Sequence, residues 1–140
     1  MIRIAVCDDE NVIVNQIEHI ISEVCKRESI PVNIDVFYSG RELKRQVTSG
    51  TKYDIIFLDI QMPGMDGMET AKVLRQDNED MILIFVTAAE EYVFQAFDVG
   101  AFHYLVKPFS NEKFKEVVTK AVHNIKKSSR LEKDEKYIMV

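Results

Sequence analysis

Four short stretches carry side chains that could act together on a charged group. Asp8, Asp9 and Glu10 follow the apolar run Ile2–Cys7, Asp59 follows Ile55–Leu58, Thr87 follows residues 81–86, and Lys107-Pro108 follows His103–Val106. Carboxylates brought close together repel, and one must take up a proton unless a cation neutralises the group. A hard divalent ion such as Mg²⁺ suits an all-oxygen donor set and commonly binds through one or two carboxylates, waters and a phosphate of the substrate. On this reading Asp9 and Asp59 are direct ligands, Asp8 holds a coordinated water, and Gln61 contributes its backbone carbonyl. One oxygen of Asp59 then stays free to attack phosphorus. Lys107 and the metal would stabilise charge on the equatorial oxygens, which is the main demand of phosphoryl transfer.

Taken singly, each feature has a plainer reading. An Asp pair after a strand can cap a helix, a Thr can close a strand, and Lys-Pro can be a turn. Their common placement is what counts, because each lies just past an apolar, β-branched run of strand length. The runs Ile2–Cys7, Val32–Phe37, Ile55–Leu58, 81–86 and His103–Val106 are five expected strands. The first, third and fourth lack alternation, as strands buried on both faces of a parallel sheet should.

Helical periods separate the strands. Ile13, Ile17, Ile20, Ile21 and Val24 make one apolar stripe, and Ser39 with Glu42 forms a capping-box pattern ahead of Leu43 and Val47. A third helix starts at Gly67 and carries Ala71 and Leu74. A fourth holds Tyr92, Val93, Ala96 and Phe97 and ends near Gly100. A fifth, capped by Ser110, carries Phe114, Val117, Val118, Ala121, Val122 and Ile125. Alternating strands and helices predict a three-layer, doubly wound α/β domain with a five-stranded parallel sheet and five helices. In such sheets ligands bind outside the carboxyl ends of the strands, which is where the acids, the hydroxyl and the lysine meet.

Composition narrows the function. The chain has 140 residues, 46% apolar and 29% charged, which suits one core and excludes a disordered or disulfide-built chain. Its longest apolar run, residues 81–86, is far short of the roughly 20 residues of a membrane helix. The start of the chain carries no secretory pattern, so a cytoplasmic protein without a membrane segment is expected. A net charge of −5 argues against direct DNA binding by this segment. Cys7 and Cys25 read as reduced packing residues. Residues 126–136 turn charged, with five basic and three acidic side chains, as in a solvated helix end or linker. Tyr137 to Val140 then begins to read as an interrupted strand.

Over residues 1–125 the sequence resembles the receiver domain of bacterial two-component response regulators. The matching segments are Val6-Cys7-Asp8-Asp9-Glu10, the run from Tyr53 through Leu58-Asp59-Ile60-Gln61-Met62-Pro63-Gly64-Met65-Asp66-Gly67, Val86-Thr87-Ala88, and Tyr104-Leu105-Val106-Lys107-Pro108-Phe109. The resemblance implies a flavodoxin-like strand order 2-1-3-4-5, Asp59 as phosphoacceptor, Asp8 and Asp9 as the acidic pair, Thr87 and Lys107 as phosphoryl contacts, and Tyr104 as a switch aromatic. It implies a sensor histidine kinase as partner and a regulatory domain that catalyses only its own phosphoryl transfer and autodephosphorylation. It also implies a cis peptide at Lys107-Pro108.

The wording around Asp8 and of Tyr92-Val93-Phe94-Gln95-Ala96-Phe97 is similar to the subgroup with a LytTR-type DNA-binding output domain, which would follow residues 126–140 and carry any contact with DNA. Phosphorylation is expected to draw the Thr87 hydroxyl inward and let Tyr104 leave an exposed rotamer. Glu90, Glu91 and Asp98 on the fourth helix, with Lys113, Lys115 and Lys120 on the fifth, could then pair two copies through the fourth helix, fifth strand and fifth helix.

The remaining candidates are weaker. His19, His103 and His123 lack a metal-pair spacing, and Met62, Met65 and Met68 suit packing beside Gly64 and Gly67. A phosphatase of the haloacid-dehalogenase type is the alternative, since it too uses a strand-end aspartate with Mg²⁺. It needs a second aspartate two residues on, where this chain has Gln61.

Overall fold

The computed structural model describes the backbone of residues 1–138 and the side chains of residues 1–128. Each apolar run forms a strand: β1 (Ile2–Cys7), β2 (Val32–Phe37), β3 (Ile55–Leu58), β4 (Ile82–Thr87) and β5 (His103–Val106). All pairings are parallel, in the order β2-β1-β3-β4-β5. The helices between them are α1 (Asn11–Arg27), α2 (Gly40–Thr48), α3 (Gly67–Asp77), α4 (Val93–Asp98) and α5 (Asn111–Ile138). This is the three-layer doubly wound arrangement expected from the alternation.

The sheet divides the core. On one face Ile4, Val6, Phe57, Ile84 and Val86 meet α1 through Ile17 and Ile21 and α5 through Phe114, Val117 and Val118. On the other, Ala5, Cys7, Ile56, Leu58, Leu83 and Phe85 meet Leu43 of α2, Ala71 and Leu74 of α3, and Ala96 of α4. Strands β1, β3 and β4 are buried on both faces, with only Arg3 of β1 partly exposed, whereas β2 and β5, at the edges, are only partly buried.

Local signals place the helix starts. Ser39 Oγ accepts from Glu42 N–H at 3.2 Å, Asp66 Oδ1 from Glu69 N–H at 2.8 Å, and Ser110 Oγ from Lys113 N–H at 3.1 Å, each satisfying a donor the first turn leaves open.

Three boundaries differ from expectation. Strand β4 is shifted by one residue, Ile82–Thr87 in place of 81–86, so Thr87 is its last residue rather than the one after it. Helix α5 continues through Ile138, across the whole of residues 126–136 that read as a solvated helix end or linker. The interrupted strand foreseen at 137–140 is not met at Tyr137 and Ile138, which are helical, while Met139 and Val140 lie outside the described residues. The charged stretch is rich in good helix formers such as Lys, Arg, Leu and Glu, and local propensity there favours extending the preceding helix.

Candidate phosphoacceptor site

Parallel pairing brings the carboxyl ends of β1, β3, β4 and β5 to one edge, and the chemistry-bearing residues gather there. Ligand oxygens of Asp8, Asp9 and Asp59 lie within 4.8 Å of one another. Asp8 and Asp59 are 1% and 4% exposed, whereas Asp9 is open to solvent. Lys107 Nζ reaches across from the end of β5 and donates to Asp8 Oδ2 at 2.8 Å and to Asp59 Oδ2 at 3.2 Å. It also reaches Glu10 Oε2 at 3.2 Å. This third contact was not foreseen, because a strand-end sequence does not reveal how far a glutamate turns back.

Backbone donors fix the remaining oxygens. Glu10 N–H donates to Asp8 Oδ1 at 3.0 Å, and Gln61 N–H donates to Asp59 Oδ1 at 3.2 Å. Burial raises the Asp8 carboxyl above its ordinary range, although its hydrogen bonds from Lys107 and Glu10 pull the other way. Burial alone would lower the Lys107 ammonium, but the hydrogen bond to Asp8 and the charges of Asp59 and Asp8 overcome it and hold the group well above its usual value. The lysine is therefore a fixed cation at neutral pH. Burial, reinforced by Asp8 and Asp59, pushes the neighbouring Cys7 thiol far up, so it stays neutral as a packing residue.

The loop after β3 is shaped by glycines. Gly64 takes a left-handed φ of 78°, and Gly67 packs so tightly that a Cβ there would lie 2.0 Å from the Asp59 carbonyl oxygen. Met62 and Met68 are buried against this loop, as expected of packing residues. The Lys107-Pro108 peptide is cis.

Thr87 is fully buried, and its Oγ1 accepts from Ala89 N–H at 3.2 Å. Tyr104 differs from the exposed rotamer expected before phosphorylation. Its ring packs against Phe85 with centroids 5.9 Å apart, and its hydroxyl donates to the Ala89 carbonyl. The Phe85 face and that carbonyl give the inward rotamer both an apolar and a polar partner. Of the lysines expected to pair between two copies, Lys115 meets Glu23 at 3.2 Å and Lys120 meets Glu116 at 3.2 Å within the chain. His19, His103 and His123 lie away from the acidic cluster among the described groups.

An acidic cluster closed by one lysine, at the carboxyl edge of a five-stranded sheet in the order 2-1-3-4-5, defines a class of signalling module. Residues 4–119 match the response regulator receiver domain family, and the chain belongs to it. It is homologous to the LytT and LytR response regulators. Sensory transduction protein LytT of Bacillus anthracis is 30% identical over 94% of this chain and 51% of that protein. LytT of Oceanobacillus iheyensis is 55% identical over 64 residues, 44% of this chain and 26% of that protein. The chain thus spans about half the length, or less, of these relatives.

Among solved structures, the response regulatory domain of mrkE from Klebsiella pneumoniae superposes with a TM-score of 0.81 at 24% identity, covering 90% of this chain and 99% of that one. Response regulator TrrA of Thermotoga maritima, in complex with Mg²⁺ and beryllofluoride, gives 0.67 at 34% identity over 86% of this chain and 99% of that one. The phosphatase alternative finds no support in these matches. No helix among the described residues is long and apolar enough to cross a membrane.

Proposed function

We propose that this receiver accepts a phosphoryl group on Asp59 from a sensor histidine kinase, with Mg²⁺ bound at the acidic edge. The observation that carries the reading is the convergence of Asp8, Asp9, Asp59 and Lys107 on one small, partly buried volume.

The donor set fits Mg²⁺, being oxygen only and carrying more negative charge than Lys107 can balance. Asp8 is held by Lys107 and Glu10 N–H and Asp59 by Lys107 and Gln61 N–H, and Asp8, the more deeply buried of the two, would hold a coordinated water. Asp9, solvent-open, and Asp59, with the Gln61 carbonyl, would be the direct ligands. Mg²⁺ bound there would offset the mutual repulsion of carboxylate and phosphoryl oxygens.

The chain's own residues supply the rest. Asp59 forms the new P–O bond as the P–N bond to the donor imidazole breaks, Lys107 holds the charge on the transferred oxygens, and the Thr87 hydroxyl turns toward them. The same groups would later position water for autodephosphorylation. Because Ala89 is bonded to both Thr87 and Tyr104, a shift of the Thr87 hydroxyl would be felt by the switch aromatic.

Residues 1–125 would act as the receiver, and residues 126–140 as the link to a LytTR-type output domain that binds DNA and controls transcription in the cytoplasm. Helix α4 exposes Phe94 and Phe97, 81% and 73% accessible, beside Phe102 at the start of β5. This patch supports phosphorylation-dependent pairing of two copies through α4, β5 and α5, driven more by apolar contact than by the lysines already paired within the chain.

Mass spectrometry after incubation with acetyl phosphate and Mg²⁺ tests the reading. One phosphoryl group should be gained, none in chelator and none by Asp59→Asn, which should stay folded. Asp9→Ala should weaken Mg²⁺ affinity more than Asp8→Ala. Full labelling of Asp59→Asn would overturn the assignment.

A further inference from the structure

Helix α4 has six residues, too few to hold itself in shape, since isolated helices shorter than about 12 residues are marginal in water. Its core contact is slight: Ala96 and the capping residue Val99 are buried, while Phe94 and Phe97 face solvent. What grips its two ends therefore sets its position.

The leading end is held through the site. Ala89, four residues before the helix, donates its N–H to Thr87 Oγ1 and accepts from the Tyr104 hydroxyl. Each tie is a single rotatable hydroxyl.

The trailing end is held by Arg75 of α3. Its Nε–H donates to the Val99 carbonyl at 2.7 Å and Nη2 to the Gly100 carbonyl at 2.9 Å. Its Nη1 donates to the carbonyls of Met81 at 2.6 Å, Asn78 at 3.1 Å and Glu79 at 3.2 Å. Asn78 caps α3 and Val99 caps α4, so one guanidinium satisfies carbonyls left open where both helices end. Gly100 takes a φ of 67°, the left-handed conformation that turns the chain at the end of α4 beside the guanidinium. None of the ion pairs among the described residues uses Arg75, and Asp80 and Glu79 act on it only as nearby charges. A planar fork of five donors can join both loops at once, where a lysine offers a single point of attachment.

We propose that Arg75 is the pivot of α4: when the phosphoryl site changes state, the leading end around Ala89 moves and the trailing end at Val99 and Gly100 stays fixed. The proposal rests on the switch reading of Thr87 and Tyr104 given above. It makes Arg75 a positioning residue, remote from the chemistry, that turns a small change at Ala89 into a tilt of the aromatic patch rather than a loss of the helix.

Residue-resolved amide exchange on the whole chain, with Mg²⁺ and with or without beryllofluoride as phosphoryl mimic, tests it. In the wild type, protection at residues 88–94 should change on activation while that of Val99, Gly100 and Ala101, whose N–H groups bond Gln95, Phe97 and Ala96, should not. In Arg75→Lys, resting protection of those three amides should fall about tenfold, and the activation response should spread into them. Wild-type protein in which both ends change equally overturns the pivot while leaving the switch intact. A leading end that does not respond overturns the switch reading and the pivot with it. Wild-type protection of Val99 to Ala101 in Arg75→Lys also overturns the pivot; if that variant fails to fold, the wild-type pattern alone decides.

Discussion

Helices α5 and α4 flank β5 and could hardly be anchored more differently. Phe114, Val117, Val118, Ala121 and Val122 of α5 are all fully buried, and Phe114 packs on Phe57 and Phe109 with ring centroids 5.4 Å and 5.0 Å away. In α4 only Ala96 is buried, and its largest side chains face water. One helix is fastened by a continuous apolar face from Phe114 to Val122, the other by its ends. Packed cores resist small displacements, whereas a segment with few buried contacts opens at low free energy. The difference assigns the parts: α5 with α1 is the frame, and α4 is the element a signal at the sheet edge can move.

Substitutions should separate the two. Phe114→Ala should destabilise the fold by about 3–5 kcal/mol, read from urea unfolding, because it empties a sealed site between sheet and helix. A loss under about 1 kcal/mol would show that the α5 face can collapse and would break the contrast.

Tyr104→Phe keeps the ring on Phe85 and removes the hydroxyl that reaches Ala89, so about 1 kcal/mol should be lost. Faster amide exchange confined to residues near Ala89 would sharpen the comparison; faster exchange along β5 instead would contradict it.

Phe97→Ser should leave stability within about 0.5 kcal/mol of wild type, as expected for an exposed position. Sedimentation in beryllofluoride should nonetheless show weakened self-association. Unchanged association would remove the aromatic patch from the proposed dimer surface.

The smallest effect is expected at His103, on β5 between the two helices. Burial, with the charges of Lys113 and Lys120, holds its imidazole below the ordinary value. The unfolded chain thus binds the proton first, and the contribution is complete above about pH 6.5 and lost as pH falls through the folded pKa. His103→Gln should flatten that decline by less than about 0.5 kcal/mol, since the half-exposed ring is screened by solvent. Parallel pH profiles of the urea midpoint for the two proteins would remove His103 from the account.

The contrast itself was only half legible in the sequence. Phe114, Val117, Val118 and Ala121 announce a buried face by their spacing, and Asp8, Asp9, Asp59, Thr87 and Lys107 announce the site because parallel strands must end together. Glu10 turning back to Lys107 and Tyr104 turning inward are rotamer choices, decided by neighbours distant in the chain. Arg75 left no trace, since its partners are backbone carbonyls and any residue type supplies one. The extension of α5 through Ile138 was hidden by charge, which serves a linker and a helix surface equally well.

Gly67 has a bearing on how accurately Asp59, the proposed acceptor, is placed. With no room for a Cβ beside the Asp59 carbonyl, the start of α3 rests directly on the end of β3, main chain on main chain, and Gly67 N–H ties to the Ile60 carbonyl at 2.8 Å. Backbone lacks the rotamer freedom of a side chain, so this contact works like a machined stop behind Asp59. On the proposed function, a side chain at position 67 would push the end of β3, and with it the Asp59 carboxylate, away from its place beside Lys107.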